Sequence, residues 1–560
     1  MASDCLLLSL PQGLDRVRID GWTAQYFDLG EGEEQGYHRS LEPRGAWHEV
    51  PQLDTRGRRG RDSIWYRAVF PRPAWAERTL LRFDGACVAA NVWINGKLLG
   101  SHYGYPGPFG FDVSSYLEDR NVVAVCVQAA EGAHLAPALA GLQDDEGPYW
   151  PLGLNGRVWL ERVGNAVVES LAARWEVSPG RAEAQITTSV RNLDAREMEF
   201  TLGWALLPPE PADGEAAVAR PPVARWRRNI RLGSRESGQF ETRLAVDRPD
   251  LWWPWTLGDQ PMYTLVAQVD ADSRSTTALR EVGIRDIELT PGPGFVAWVV
   301  NQRRHFPRGA VLPPLMPGDA DPLGAWRLAG LDLALAVGQL PSPQLAAAAD
   351  AAGVLLVVDP PVATTAPPEV LDHQAEALAL VAPHPSAAVM VERGVTIVDG
   401  PSARAAADEL YTLVPVERAR IESARRAKYH PYSGIVLRDL PDLAAAEGTL
   451  APTAALLEAV AGPDDSGRRV RVHVVNDDVS RSGTARVHWT ARPAERGGWR
   501  PRTRERSGHL DVRLPAPDEP ALVYDTDAVL PVDGGMSVEL ELEQDGEQLS
   551  YIEYDLDLED

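Results

Sequence analysis

Chemistry in a chain like this one has to come from side chains that move protons, attack carbon or hold metals. Three carboxylates close apolar runs: Asp359 closes GVLLVVD, Glu392 closes AAVMVE and Asp439 closes GIVLRD. Two carboxylates facing each other can divide proton transfer and nucleophilic attack between them. Each also has a structural reading. An aspartate before two prolines is an ordinary turn residue, and Asp439 with Asp442 caps or solvates the loop before a following helix. Histidines 305, 384 and 430 have no HExxH or HxH spacing, and Cys5, Cys87 and Cys126 have no CxxC pairing, so neither a metal site nor a disulfide framework is expected. No Walker loop, dinucleotide glycine loop or GxSxG elbow occurs, so no cofactor is expected either.

The elements that would position these residues fall into four blocks, making the fold class multidomain and mostly β with one α/β part. In residues 1–165, short alternating strands such as SIWYRAVF, AANVWINGKLLG and NVVAVCVQ predict a β-sandwich, with a two-residue hairpin turn at Asn95-Gly96. Residues 166–290, with AEAQITTSVRN, EFTLGWALL and MYTLVAQVD, are spaced like an immunoglobulin-type sandwich. In residues 291–462, strand-like runs (DLALAVGQL, GVLLVVDPP, AAVMVERG, GIVLRDL) alternate with alanine-rich helical stretches (SPQLAAAADAAG, PEVLDHQAEALALVA, APTAALLEAVAG), the texture of parallel strands with crossover helices. Residues 463–560 return to β and predict a small terminal sandwich.

Charge narrows the partners. The chain has 55 basic and 80 acidic residues, and a net charge of −25 repels phosphate backbones and anionic lipid heads, so nucleic acid and membranes are both expected to be absent as partners. MASDCLLLSLPQG has no basic region before its short apolar run, and no run of 18 apolar residues occurs, so a cytoplasmic location is expected. Thirteen of the 17 tryptophans lie at or before Trp255, and none lies between Trp326 and Trp489. Trp252, Trp253 and Trp255 are expected to pack in the sandwich core and a domain interface.

Several motifs together resemble glycoside hydrolase family 2, the β-galactosidases, β-glucuronidases and β-mannosidases. FDGACVAANVWINGKLLGSHYGYPGPFGFDVSSYL resembles the signature of that family's sugar-binding-like jelly roll. DLWWPWTLGDQPMYTLVAQV followed by EVGIRDIEL resembles the W-W-P, L-Y and G-I-R sequence that ends its immunoglobulin-like domain. NQRRHFPRGAVLPP is similar to the segment that opens the family's barrel, and AGLDLALAVGQ, GVLLVVDPP and HPSAAVMVERG are similar to barrel strands two to four. SGIVLRDLPDL and VRVHVVNDD resemble the eighth strand and the terminal sandwich of the β-mannosidase-like branch.

The resemblance implies retaining glycoside hydrolysis, which needs two carboxylates about 5–5.5 Å apart at the ends of barrel strands. In the family's register the acid/base pair falls at Gly394 and Val395, and neither moves a proton. Glu392, the nearest carboxylate, is expected two residues short of the strand end. No serine-glutamate-aromatic-glycine segment follows to supply the nucleophile. The substrate arginine falls on Leu335, the strand-three tryptophan on Val357 and the eighth-strand tryptophan on Arg438. The α/β part has about 170 residues where a complete barrel takes about 250, so an incomplete TIM-like barrel is expected.

These observations lead to the expectation of a family 2 relative without hydrolase activity, acting as a carbohydrate-binding or scaffold protein. Its expected partners are carbohydrate, another copy of itself or another protein. The alternative is an active exo-β-glycosidase with a displaced pair drawn from Glu392, Asp359 and Asp439, and a third reading has a partner chain completing the site.

Overall fold

The computed structural model describes residues 12–13, 16–28, 30–39, 47–50, 53, 56–58, 62–75, 78–87, 89–103, 107–128, 143–144, 147–148, 150–210, 221–271, 274–292, 295–313, 323–337, 341–359, 381–392, 395–398, 412–414, 418–429, 433–437, 448–461, 467–493, 505–531 and 536–556. The first sandwich sets a six-stranded sheet, whose middle strands are Ala89–Ile94, Arg120–Gln128 and Asp62–Pro71, over a four-stranded one. Between them lies a core that includes Leu81, Phe83, Phe109, Phe111, Val123 and Val125. Asn95 and Gly96 turn the predicted hairpin with φ of 49° and 80°. The second sandwich faces a three-stranded sheet against a five-stranded one around Leu171, Ile186, Leu202, Trp204 and Leu265.

The α/β part is a seven-stranded sheet. Its strands are β1 (Arg308–Val311), β2 (Leu333–Val337), β3 (Leu355–Asp359), β4 (Ala387–Glu392), β5 (Val395–Val398), β6 (Thr412–Val414) and β7 (Ile435–Leu437). The order is β5-β4-β3-β2-β1-β7-β6, parallel throughout except for β5, which pairs antiparallel with β4. A closed barrel would run through eight parallel strands and pair the last with the first. Here β7 takes the eighth place beside β1 and β6 the seventh, while among the described residues one reversed strand stands where two parallel ones would complete the ring. Among the described residues this sheet does not close on itself.

Among the described residues three helices cover one face: α1 (Leu323–Leu328), α2 (Pro343–Ala352) and α3 (Arg418–Arg426). α2 shows how local sequence sets an element. Ser342 accepts from the Leu345 amide as N-cap, Pro343 occupies the first turn, and Gly353 ends the helix at φ 68°. The stretch PEVLDHQAEALALVA lies mostly outside the described residues. APTAALLEAVAG is corrected: Thr453–Ala461 is a strand paired with Gly467–Asn476, so the terminal sandwich begins before 463. A continuous apolar run carries no period to separate helix from strand, and here burial in the sandwich core decided against alanine's helix preference. The division drawn at 290/291 likewise falls inside an antiparallel hairpin of Ile287–Gly292 and Phe295–Val300.

The terminal sandwich is bolted to the barrel sheet by buried charge. The Asp477 carboxylate receives Lys428 Nζ at 2.7 Å and Arg425 at 3.1 Å, and also pairs with Arg308 from β1. Burial alone would raise this carboxyl, but the three cations hold it well below the usual carboxylate range. Nearby on α3, burial pushes the Glu422 carboxyl up to about 7 against the pull of Tyr554 and the helix arginines. A raised carboxyl favours the folded state while protonated. Its contribution is therefore full below the ordinary value of 4.5 and lost as pH climbs through about 7. The thermal midpoint is expected to fall between about pH 5 and 8 by more in the native chain than in Glu422→Gln, as followed by scanning calorimetry across that window.

Candidate functional site

In a barrel enzyme the reacting groups project from the carboxyl ends of the strands, above a bore lined by alternate side chains. The alternation is plain here. Ala334, Ala336, Leu356, Val358, Ile435 and Leu437 meet the helices, together with Trp326 of α1 and Ala346 and Ala349 of α2. Leu333, Leu335, Leu355, Val357, Ala388 and Val436 face the other way, into what would be the bore. That space is filled. The Ile287–Val300 hairpin sends in Ile287, Leu289, Val296, Trp298 and Val300, and the second sandwich adds Trp252 and Leu257. Leu335 and Val357, the positions matched to the substrate arginine and the strand-three tryptophan, are both 0% exposed within this cluster.

At the rim, Asp359 is the last residue of β3, level with Val337 of β2. It is half-buried, and burial raises its carboxyl, with no second charge contributing among the described residues. Glu392 is not short of a strand end: β4 ends on it, its backbone level with Val395 of the reversed β5, and its side chain lies outside the described residues. The register that placed the acid/base pair at Gly394 and Val395 thus runs past the point where the parallel strand stops. Asp439, Asp442, Arg438 and His430 lie outside the described residues. The strand in the seventh place, β6, carries Thr412, Leu413 and Val414, none of them a carboxylate. Among the described residues no group of three or more His, Cys, Asp or Glu side chains is arranged to hold a metal.

The structure gives the remaining motif residues positioning work. His384 Nδ1 lies 2.6 Å from Asp350, whose other oxygen accepts the Ser386 amide at 2.9 Å. Ser386 Oγ donates to the Ala346 carbonyl and not to the histidine, so this serine, histidine and aspartate form no nucleophilic relay. Arg285 donates to the carbonyls of Pro385 and Ala387 at 2.9 and 2.6 Å, and Trp252 Nε1 donates to the Asp350 carbonyl. A Cβ on Gly283 would stand 2.7 Å from Pro385, which explains a glycine at that point. The W-W-P, G-I-R and H-P-S segments are thus one interlock, tying the second sandwich to the foot of β4. At the foot of the sheet, Asp332 accepts from Thr256 and from the Arg308 amide and lies 3.3 Å from buried His305. Sequence reasoning singles out neither Asp332 nor Asp350, and Asp477 only as part of the motif that resembles the opening of the terminal sandwich. Their signal was only an acid inside or beside an apolar run.

Comparison with known proteins agrees with this architecture. Residues 166–285 match the model for glycosyl hydrolases family 2. A β-galactosidase of Bacteroides ovatus is 29% identical over 246 residues, 41% of this chain and 25% of that protein. An exo-β-D-glucosaminidase of Streptomyces avermitilis is 26% identical over 44% of this chain and 27% of its own length. The matched stretches thus span about a quarter of those relatives. Among solved structures, the exo-chitosanase of Amycolatopsis orientalis superposes with a TM-score of 0.70 at 15% identity, over 98% of this chain and 85% of that one. A β-D-mannosidase from Dictyoglomus thermophilum gives 0.67 at 13%, over 97% and 89%. A sandwich-rich, multidomain fold around an α/β sheet is therefore the class. The chain is a relative of glycoside hydrolase family 2.

No helix among the described residues is long and apolar enough to cross a membrane.

The filled bore has a direct consequence. Leu335→Arg restores the family's residue type at its position, but would bury a charge with no partner, a change that costs several kcal/mol. It is expected to lower the thermal midpoint sharply or to abolish soluble expression. A variant as stable as the parent would mean that the position opens to water.

Proposed function

We propose that the chain is a non-catalytic member of its family, a scaffold or carbohydrate-binding protein whose β-sandwiches carry the contacts. Carbohydrate, a further copy of itself or another protein is its partner, and the cytoplasm its location. The observation that carries this reading is the dry inner face of the sheet. Leu335 and Val357 lie inside a core with Trp252 and Trp298, so the two positions that would hold a sugar in this family hold each other instead. Hydrolysis also needs two carboxylates within about 5–5.5 Å, and the described residues in the seventh place, Thr412–Val414, include none.

A second reading, an exo-β-glycosidase with a displaced pair, draws on one observation. The Asp359 carboxyl is raised by burial at the end of β3, the direction a general acid requires. Its partner would have to come from Glu392 or Asp439.

One experiment separates the two. The purified chain is incubated with nitrophenyl β-mannoside, β-galactoside, β-glucoside and β-glucuronide, alongside Asp359→Asn and Glu392→Gln. The first reading expects no release above the uncatalysed rate from any of the three proteins. Turnover by the parent that either substitution abolishes would establish the second. Calorimetric heat with an oligosaccharide, unchanged in both variants, would assign the sugar to a sandwich.

A further inference from the structure

The strand Ala224–Leu232 is the outermost of the five-stranded sheet in the second sandwich. It pairs with Met198–Leu207 on one side and, among the described residues, with nothing on the other. Its sequence, ARWRRNIRL, has four arginines in nine residues, in a chain whose net charge is −25. Residues 225 to 229 are all exposed, and Trp226 is 53% exposed.

Register fixes the sides. Trp226 stands opposite Trp204 and Arg228 opposite Leu202, so both lie on the side of the sheet that faces the core, at its uncovered lip. Arg225 stands opposite Ala205 and Arg227 opposite Gly203, on the other side, where the neighbouring strand offers no bulk. Arg231 is already held by Glu199 and lies 3.8 Å from Glu197, and Arg228 lies 5.6 Å over the Phe240 ring. The free end of the edge is thus the stretch from Arg225 to Asn229, with cations on both sides and an indole between them.

Charge on an edge strand commonly serves to block aggregation. Arginines alone would do that, whereas an uncovered tryptophan in the middle of the edge works against it. Tryptophan and arginine are also the residue types that dominate binding energy at interfaces.

We propose that this strand is a docking edge for an extended acidic peptide segment of a partner protein, which adds to the sheet as a sixth strand. An added strand takes up the open backbone groups while its alternate side chains fall on the two sides, so cations on both sides suit an acidic segment. Pairing of this strand with the same strand of another copy would set arginine rows opposite each other, which like-charge repulsion opposes. A polysaccharide would gain nothing from the backbone. The proposal goes beyond the reading of the barrel and stands whichever way that is decided.

The test uses the full chain and a fluorescent peptide of about ten residues repeating glutamate-glutamate-valine, which carries acids on both sides of an added strand and is long enough to span the edge. Binding is read by anisotropy. Saturable binding is expected, weakened at least about tenfold by the triple change Arg225→Gln, Arg227→Gln and Arg228→Gln, and similarly by Trp226→Ser. A peptide of the same sequence N-methylated at alternate residues keeps its charge but cannot pair as a strand, and it is expected to bind at least about tenfold more weakly. The proposal is overturned by absence of saturable binding, by equal binding of the methylated peptide or of a threonine-valine peptide, or by binding indifferent to all four residues. Preferential binding of polygalacturonate over the peptide, dependent on the same arginines, would also overturn it and would assign the edge to acidic glycans.

Discussion

A parallel sheet has two apolar faces, and each must be covered. Helices cover one. Closing the sheet into a barrel hides the other, because the strands then cover one another across the bore. Among the described residues the ring stops after β4, where β5 turns back antiparallel, and on the far side ends at β6. The inner face would lie open, with Leu333, Leu335, Leu355, Val357 and Val436 bare to water, if nothing else came in. The Ile287–Val300 hairpin and the Trp252 segment come in. Removing five side chains of that size from water is worth on the order of 10 kcal/mol, comparable with the whole net stability of a domain, about 5–15 kcal/mol. The plug is a condition of folding for a sheet of this shape.

The rest of the molecule is arranged to hold that plug in place. The hairpin follows directly from the second sandwich, whose last residues anchor on β4 through Arg285, Gly283 and Trp252. Asn301 and Gln302 turn the chain with φ of 47° and 68°, and the Asn301 side chain holds the Trp252 carbonyl at 2.9 Å. Beneath β1, Arg308 ties Asp332 of the sheet to Asp477 of the terminal sandwich. A site that binds sugar needs a concave, solvent-filled space with polar groups converging on it. The inner face of the described sheet is spent on packing, and Arg285 and Trp252 of the family-like motifs donate into the joint between the second sandwich and the foot of β4.

Much of this was legible from local signals. Asn95-Gly96 gave its hairpin because both residues accept positive φ, and Ser342, Pro343 and Gly353 bracketed their helix because each suits one end of a helix and no other place in it. The shortfall in the barrel followed from counting residues. Other features depend on contacts between distant parts of the chain and left no local trace. Thr453–Ala461 is strand because the terminal sandwich buries it. Asp477 is ionised in a dry interior because Arg308, 169 residues away, and Lys428 converge on it. Of the candidate carboxylates, Asp359 stands at a strand end as its apolar run predicts, while the family register sets Glu392 two residues early because it continues a parallel strand through what is a reversal. Asp439 lies outside the described residues.

The central claim, that no carboxylate here serves as a glycosidase nucleophile, is tested most directly by trapping. A retaining enzyme attacked by a 2-deoxy-2-fluoroglycosyl fluoride forms a bond from its carboxylate to the anomeric carbon, expels fluoride and accumulates the glycosyl ester, because the ring fluorine slows its hydrolysis. Intact-mass measurement after prolonged incubation with the manno-, gluco- and galacto-configured reagents should show the unmodified chain alone. A stoichiometric adduct of one fluorosugar, mapped to Asp359, Glu392 or any other carboxylate of the α/β part, would contradict the account.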